Sequence, residues 1–345
     1  MKKSIGTAIL VAISLRLASM AGALDAAGTF LREISADGRL LTVSLGVEFG
    51  SKPADTPSPD GAGLEAEAGG LYVASPVIRR PEPSAASETS ETLERQILPA
   101  TIPGGLKISN ATSFSPDIEA LMNEPLGIRL PSEGPQILII HTHGSEAYTP
   151  EAFDRYETSD SFRTQDKEYN VIRVGDELAS ELEQFGLRIL HDREIYDYPS
   201  YTGSYSRSGA AVDQYLAEYP GIAIVIDLHR DALGSGDVVY KTMANLQGET
   251  SSQLMLLVGT GENGLYHPYW QENLKLALRL QAAAERSYPT LARPIALKQE
   301  RYNQQLSPGM LILEVGSNGN TLREALCAVR LFAKAIGSTL KELIT

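Results

Sequence analysis

"ILIIHTHGSEAY", residues 137–148, runs four aliphatic residues straight into two histidines, with a glutamate three positions after the second. A short apolar run of this kind reads as a buried strand. Packing alone gives no reason for His141, His143 and Glu146 to follow it, so the strand end is where chemistry is to be sought. Two later segments repeat the design. "IAIVIDLHRD" (222–231) is an aliphatic run that ends in Asp227, His229, Arg230 and Asp231. "GMLILEVGSN" (309–318) ends in Glu314, Ser317 and Asn318.

Helical periodicity fills the intervals. "YNVIRVGDELASELEQFG" carries apolar residues at helical spacing and stops at Gly186, a natural C-cap. "AAVDQYLAEYPG" (210–221), "WQENLKLALRLQAAAERS" (270–287) and a closing segment from Thr321 to about Ile344 read as three more helices. "LRIL" (187–190) and "SQLMLLVG" (252–259) read as further strands. Strands alternating with helices of this length imply a three-layer α/β domain around a mostly parallel or mixed sheet. In such sheets the strand carboxyl ends line the ligand crevice. If the three polar-ended strands are parallel neighbours, His143, Glu146, His229 and Glu314 converge.

That set suits one chemistry. Catalytic zinc is commonly held by three protein ligands, often two His and one Glu, with a fourth position left for water. His143-x-x-Glu146 puts two ligands on one loop, and His229 completes the triad. Glu314 is then the carboxylate that takes the proton from the activated water. His141 shares a strand face with His143 and reads as a ligand or as a partner behind the ligands. His191 reads as a surface or second-layer group, and His267 as loop packing. No Walker loop, dinucleotide fingerprint or GxSxG elbow is present.

Composition narrows the remaining classes. The 345 residues carry a formal net charge of −13, which argues against a surface that tracks nucleic-acid phosphates. A single cysteine, Cys327, sits in a helical pattern as a small core residue, so disulfides and thiol chemistry drop out. At the amino terminus Lys2 and Lys3 precede an apolar stretch from Ile5 to Leu15, with Ala21-Gly22-Ala23 beyond it. Arg16 keeps the run short of the ~20 residues that span a bilayer comfortably. Residues 1–25 therefore read as an export signal, either cleaved or retained as a membrane anchor. Residues 26–100 hold a short segment and then a Pro-, Ser-, Ala- and Glu-rich linker unable to bury a core. Residues 101–345 are the expected catalytic domain.

From about Ile108 onward the chain resembles the stage II sporulation protein P family of spore-forming bacteria. "ILIIHTHGSEAY", "NVIRVGDELASEL", "YPSYTGSYSRS", "VIDLHRDA", "HPYWQENLKLALRLQ" and "RYNQQLSPGMLILEVGSNGNTLREAL", in that order, carry the likeness. The resemblance implies a fold like that of zinc-dependent amidases and, more distantly, zinc carboxypeptidases. It implies an exported, membrane-anchored zinc N-acetylmuramoyl-L-alanine amidase that acts on peptidoglycan at the sporulation septum, in engulfment, with sporulation proteins D and M. Cleavage of stem peptides or cross-links by the same site is the runner-up, and a non-catalytic wall-binding scaffold a third reading. The layout of the family fits His143, Glu146 and His229 as ligands and Glu314 as base. Other amidases of this fold take their glutamate ligand from the start of the following helix, which makes Glu168 a rival to Glu146. Arg230, Asp231 and Asn318 are candidates for supporting the ligands or binding substrate.

Overall fold

Ile137–Ile140, the first strand of the polar-ended trio, is wholly buried, and its side chains divide by alternation. Ile137 and Ile139 enter one hydrophobic cluster, while Leu138 and Ile140 enter another on the opposite face. Complete burial of each side chain contributes roughly 1.5–3 kcal/mol of transfer free energy. A strand with two apolar faces must lie between two layers, and the computed structural model has that architecture. It describes residues 96–98 and 105–345 apart from 153, 155, 236, 237 and 247. The expected export signal and most of the linker lie outside the described residues.

In chain order the strands are β1 (Gln96–Leu98), β2 (Ile108–Asn110), β3 (Ile137–Ile140), β4 (Ile189–His191), β5 (Ile224–Asp231), β6 (Gly234–Ser235), β7 (Val238–Thr242), β8 (Leu254–Gly259), β9 (Ile295–Lys298) and β10 (Met310–Ser317). The helices are α1 (Ile118–Asn123), α2 (Val171–Glu183), α3 (Ser204–Glu218), α4 (Trp270–Ser287) and α5 (Leu322–Lys341), with a 3-10 turn at Gln304–Leu306. The main sheet has seven strands in the order β2-β9-β8-β10-β5-β3-β4. Neighbours are parallel except β8 and β10, so the sheet is mixed. Residues of α2, α4 and α5 cover one face, and Val212 of α3 packs on the other. A small second sheet, β1-β7-β6, pairs β1 with the two strands that follow β5 in the chain.

The helices start where their caps dictate. The Asn170 side chain accepts from the Ile172 amide at 2.9 Å and opens α2. Thr321 and Glu324 close a capping box on α5. Helix α3 begins at Ser204, six residues before the apolar pattern at Ala210, because Gly203 takes φ +83° and turns the chain there. Strand β9, four buried residues too short to show a period, and the strands β1, β2, β6 and β7 are additions to the elements expected from sequence. Among the described residues no helix is long and apolar enough to cross a membrane.

Candidate functional site

The strands β3, β5 and β10 are adjacent and parallel, so their carboxyl ends open on one side. Register places Glu314 beside His229 and Ile140 beside Asp227. The polar residues that follow or end these strands therefore meet, with exposures of 6% for His143, 6% for Glu146 and 3% for His229.

Glu146 lies at the centre. One carboxylate oxygen accepts from the Arg230 amide at 3.1 Å and stands 3.5 Å from His229 Nδ1. The other is 3.7 Å from the Arg163 guanidinium. Burial opposes charge on this carboxyl, but Arg230 and His229 outweigh it and hold Glu146 well below the usual carboxylate range. The His143 ring meets that of His229 edge to face, with centroids 5.3 Å apart. Burial lowers the His143 imidazole to about 3, so this ring is neutral at physiological pH. His229 behaves oppositely. Burial works against its proton, yet Asp227 and Glu146 raise it well above the ordinary histidine value. Its Nε2 is 2.9 Å from Asp227 Oδ1, a close ionic approach that lacks hydrogen-bond direction.

Three atoms here are buried without a hydrogen-bond partner: His143 Nδ1, His229 Nε2 and Glu314 Oε2. Burial, ahead of the opposing charge of His229, pushes the Glu314 carboxyl up to about 8. Orphaned polar atoms are expensive in a folded interior, and three in one cluster of residues mark a site built for something further. Among the described residues no group of three His, Cys, Asp or Glu side chains already stands around a common point in the manner of a metal cage.

The remaining candidates take supporting positions. His141 turns away from the opening: its Nδ1–H donates to the Leu228 carbonyl at 2.8 Å, and its Nε2 meets His191 Nε2 at 2.8 Å. His191 is in turn 3.1 Å from Asp176. Arg230 donates from its guanidinium to the carbonyls of Ala147 and Phe162, so it clamps the loop after β3 onto β5. Asp231 accepts from Arg293 at 2.6 Å. Asn318 accepts from the Leu233 amide and ties the ends of β5 and β10 together. Glu168 is outside the cluster, with a side chain 69% exposed and 3.8 Å from Arg193.

Several residues at the site were not singled out from sequence. Asp227, fully buried, accepts from both the amide and the hydroxyl of Thr142 and so fixes the turn that presents His143. Asp197 accepts from the amide and hydroxyl of Ser145 and from Arg163. Tyr201 stacks on His143 with centroids 4.6 Å apart, and Tyr205 meets the same ring edge to face at 5.5 Å. An acid inside the aliphatic run of β5 was a legible signal for Asp227; the tyrosine-rich stretch before α3 offered none so direct.

Comparison with known proteins gives the family of the chain. Residues 78–337 match the profile of the family described as Stage II sporulation protein P (SpoIIP). Stage II sporulation protein P of Bacillus subtilis (strain 168) is 29% identical over 199 residues, covering 54% of this chain and 47% of the relative. The chain thus spans about half the length of that curated relative. Among solved structures, the N-acetylmuramoyl-L-alanine amidase AmiC2 of Nostoc punctiforme aligns at TM-score 0.35 and 14% identity, over 61% of this chain and 97% of that one. The CwlD amidase of Clostridioides difficile, solved with the GerS lipoprotein, aligns at 0.36 and 11%, over 60% and 98%. With its profile match running across residues 78–337 of 345, the chain belongs to the stage II sporulation protein P family.

Proposed function

We propose that this chain is a zinc-dependent peptidoglycan hydrolase that cleaves the amide between N-acetylmuramic acid and L-alanine, outside the cytoplasm, in septal wall degradation and engulfment during sporulation. The observation that carries the reading is the convergence of His143, Glu146, His229 and Glu314 at the ends of adjacent parallel strands, with three of their polar atoms buried and unbonded. Family membership gives the biological setting. Sporulation proteins D and M are the proposed partners, and the amino-terminal segment, if uncleaved, the proposed tie to the membrane.

The residues fit the metal. His143 Nδ1 without a hydrogen-bond partner, a carboxylate kept ionised, and the His229 imidazole, which would give up its proton to a metal, are a zinc donor set. The carboxylates of Glu146 and Asp227 on either side of His229 make a buried place that favours a cation. His143, Glu146 and His229 would hold the ion, which supplies Lewis acidity and lowers the pKa of water toward ~7. The protein does the rest. Thr142, Asp227 and the Arg230 clamp fix the ligand side chains before substrate arrives. With its carboxyl ionised, the form that a positive charge beside it favours, Glu314 accepts the proton of the attacking water and returns it to the departing alanine nitrogen as the carbon–nitrogen bond breaks. The products are a lactyl carboxylate and a free amino terminus.

Zinc content and wall hydrolysis measured on one preparation test this. Glu314→Gln should keep its zinc and fold while turnover falls by roughly 10²–10⁴-fold. His143→Ala and His229→Ala should lose metal and activity together. New L-alanine amino termini in the digest identify an amidase, whereas new diaminopimelate or D-alanine termini identify a peptidase. Near-full activity in Glu314→Gln removes that residue from the mechanism, and metal-free, inactive wild-type protein leaves the scaffold reading.

A further inference from the structure

The ion pair of Asp231 and Arg293 stands one step beyond the four residues on the same face of the sheet. Side chains alternate along β5, so Asp231 shares the face of His229 and lies two residues, roughly 7 Å, further toward the strand end. Arg293 comes from the far side of β10, in the connection between α4 and β9. Its backbone amide donates to the Leu254 carbonyl at 2.8 Å, at the start of β8 and so beside the end of β10. From there the guanidinium reaches across β10 and brings Nη1 within 2.6 Å of Asp231 Oδ2. Behind burial and the charge of His229, Glu314 feels both members of the pair, Asp231 raising its carboxyl and Arg293 lowering it.

The arginines around the cluster are engaged unequally. Arg230 donates to the carbonyls of Ala147 and Phe162, and Arg163 to Ser145 and Asp197. Arg293 gives Nη1 to Asp231, while its Nε and Nη2 enter no hydrogen bond or ion pair among the described residues. Its side chain is 15% exposed and that of Asp231 20%. Nε and Nη2 carry the parallel N–H bonds of the side-on fork, the edge that takes a carboxylate in two hydrogen bonds. One edge is thus fixed by the protein and the other is left for a ligand.

A peptidoglycan stem offers such a group. Its second residue is a glutamate joined onward through its side chain, which leaves the α-carboxylate free. Two residues of extended chain span at most about 7 Å, the same offset that separates Asp231 from His229 along β5.

We propose that Arg293 is the stem-peptide anchor of the cleft, its Nε and Nη2 holding the α-carboxylate of the second stem residue while Asp231 fixes the guanidinium. This rests on the peptidoglycan reading above and deepens it by giving the substrate a direction. The stem runs outward over the end of β10, and the amide to be cut lies beside Glu314.

The test compares a ligand with its own amide. Full-length, zinc-loaded protein carrying Glu314→Gln, which slows turnover on the reading above, is titrated calorimetrically with two ligands. They are N-acetylmuramoyl-L-alanyl-D-glutamate and N-acetylmuramoyl-L-alanyl-D-isoglutamine, which differ only in having an α-carboxylate or an α-carboxamide. With residue 314 already uncharged, any influence of Arg293 on the proton of that side chain is removed. The acid should bind about tenfold more tightly than the amide, the size of a hydrogen bond between charged partners. Adding Arg293→Gln should bring the two within about twofold of each other, with affinity for the amide unchanged. Arg293→Lys keeps the charge without the fork and should retain a preference of about threefold. The proposal is overturned if the parent protein binds acid and amide equally, if it binds neither, or if Arg293→Gln weakens both alike. The products of wall digestion decide the amidase reading separately. Amidase products without an acid preference would sink the anchor alone, and peptidase products with one would sink the amidase assignment and keep the anchor.

Discussion

Replacing Gly175 by alanine sets two effects of opposite sign against each other. Gly175 is in the interior of α2, where alanine is favoured over glycine by about 1 kcal/mol. An added Cβ, however, would lie 2.6 Å from His191 Nε2 and 2.7 Å from His141 Nε2, far inside van der Waals contact. Neither ring can swing aside cheaply. His141 is fully buried and bonded to Leu228, and His191 is held by Asp176. Overpacking of this kind costs about 1–3 kcal/mol, and parting the two rings gives up about 1 kcal/mol of hydrogen bonding. The net is a destabilisation of about 1–3 kcal/mol. For a domain of this size that is a fall in Tm of roughly 2–12 °C. Calorimetric melting of Gly175→Ala measures it, and combination with His191→Ala, which clears one of the two obstacles, should shrink the penalty. A Gly175→Ala protein that melts higher than wild type would show that the helix preference wins and that the close approach has no energetic weight.

Two further outcomes follow from ion pairs. Burial disfavours charge on Glu324, but Lys241, the Asn320 amide and the Thr321 amide outweigh it and keep the carboxyl below its ordinary value. Its folded pKa being depressed, its stabilisation is complete above the unfolded-state value and is lost as pH falls through the folded one. Glu324→Gln should therefore flatten the acid limb of a stability–pH curve measured by urea unfolding, and an unchanged limb would discount the pair. Asp197→Ala takes from Arg163, with a side chain only 12% exposed, its nearest carboxylate, and leaves two donors of Ser145 without their acceptor. Urea unfolding should register a loss of about 3 kcal/mol, and a loss below about 1 kcal/mol would mean that the loop before α3 is held by other contacts.

How much of this was legible in the sequence depended on whether a feature was local. Strand ends β3, β5 and β10 stood out because aliphatic runs stopped abruptly at His, Asp and Glu, and no packing need explained those residue types. Their adjacency was a topological inference that the sheet order bears out. Contacts across long separations were hidden. Ser145 and Asp197 are 52 positions apart, and Thr142 and Asp227 are 85 apart. Nothing in either local pattern announces such a partner. The choice between Glu146 and Glu168 was also beyond sequence reasoning, since both follow β3 within one connection. The structure turns Glu146 inward under the Arg230 amide and sends Glu168 to solvent beside Arg193. Short elements such as β9 carry too few residues for a period and are made into strands by their neighbours.

The place of β10 in the sheet has a consequence for the order in which the molecule is completed. This strand, residues 310–317 of 345, is inserted between β5 and β8, and among the described residues the sheet has no other strand pairing between its two halves. A chain that emerges amino terminus first can pair β3, β4 and β5 early, yet it lacks both the strand that joins them to β8 and the glutamate proposed as base. Tyr148 reaches the Val315 carbonyl across 167 positions, and Thr149 reaches that of Asn318 across 169, so the rim of the cleft waits for the same event. Closing connections of that length is a late and slow step. Until the tenth strand docks, the chain holds the proposed ligands without the proposed base, and the four residues meet only on its arrival.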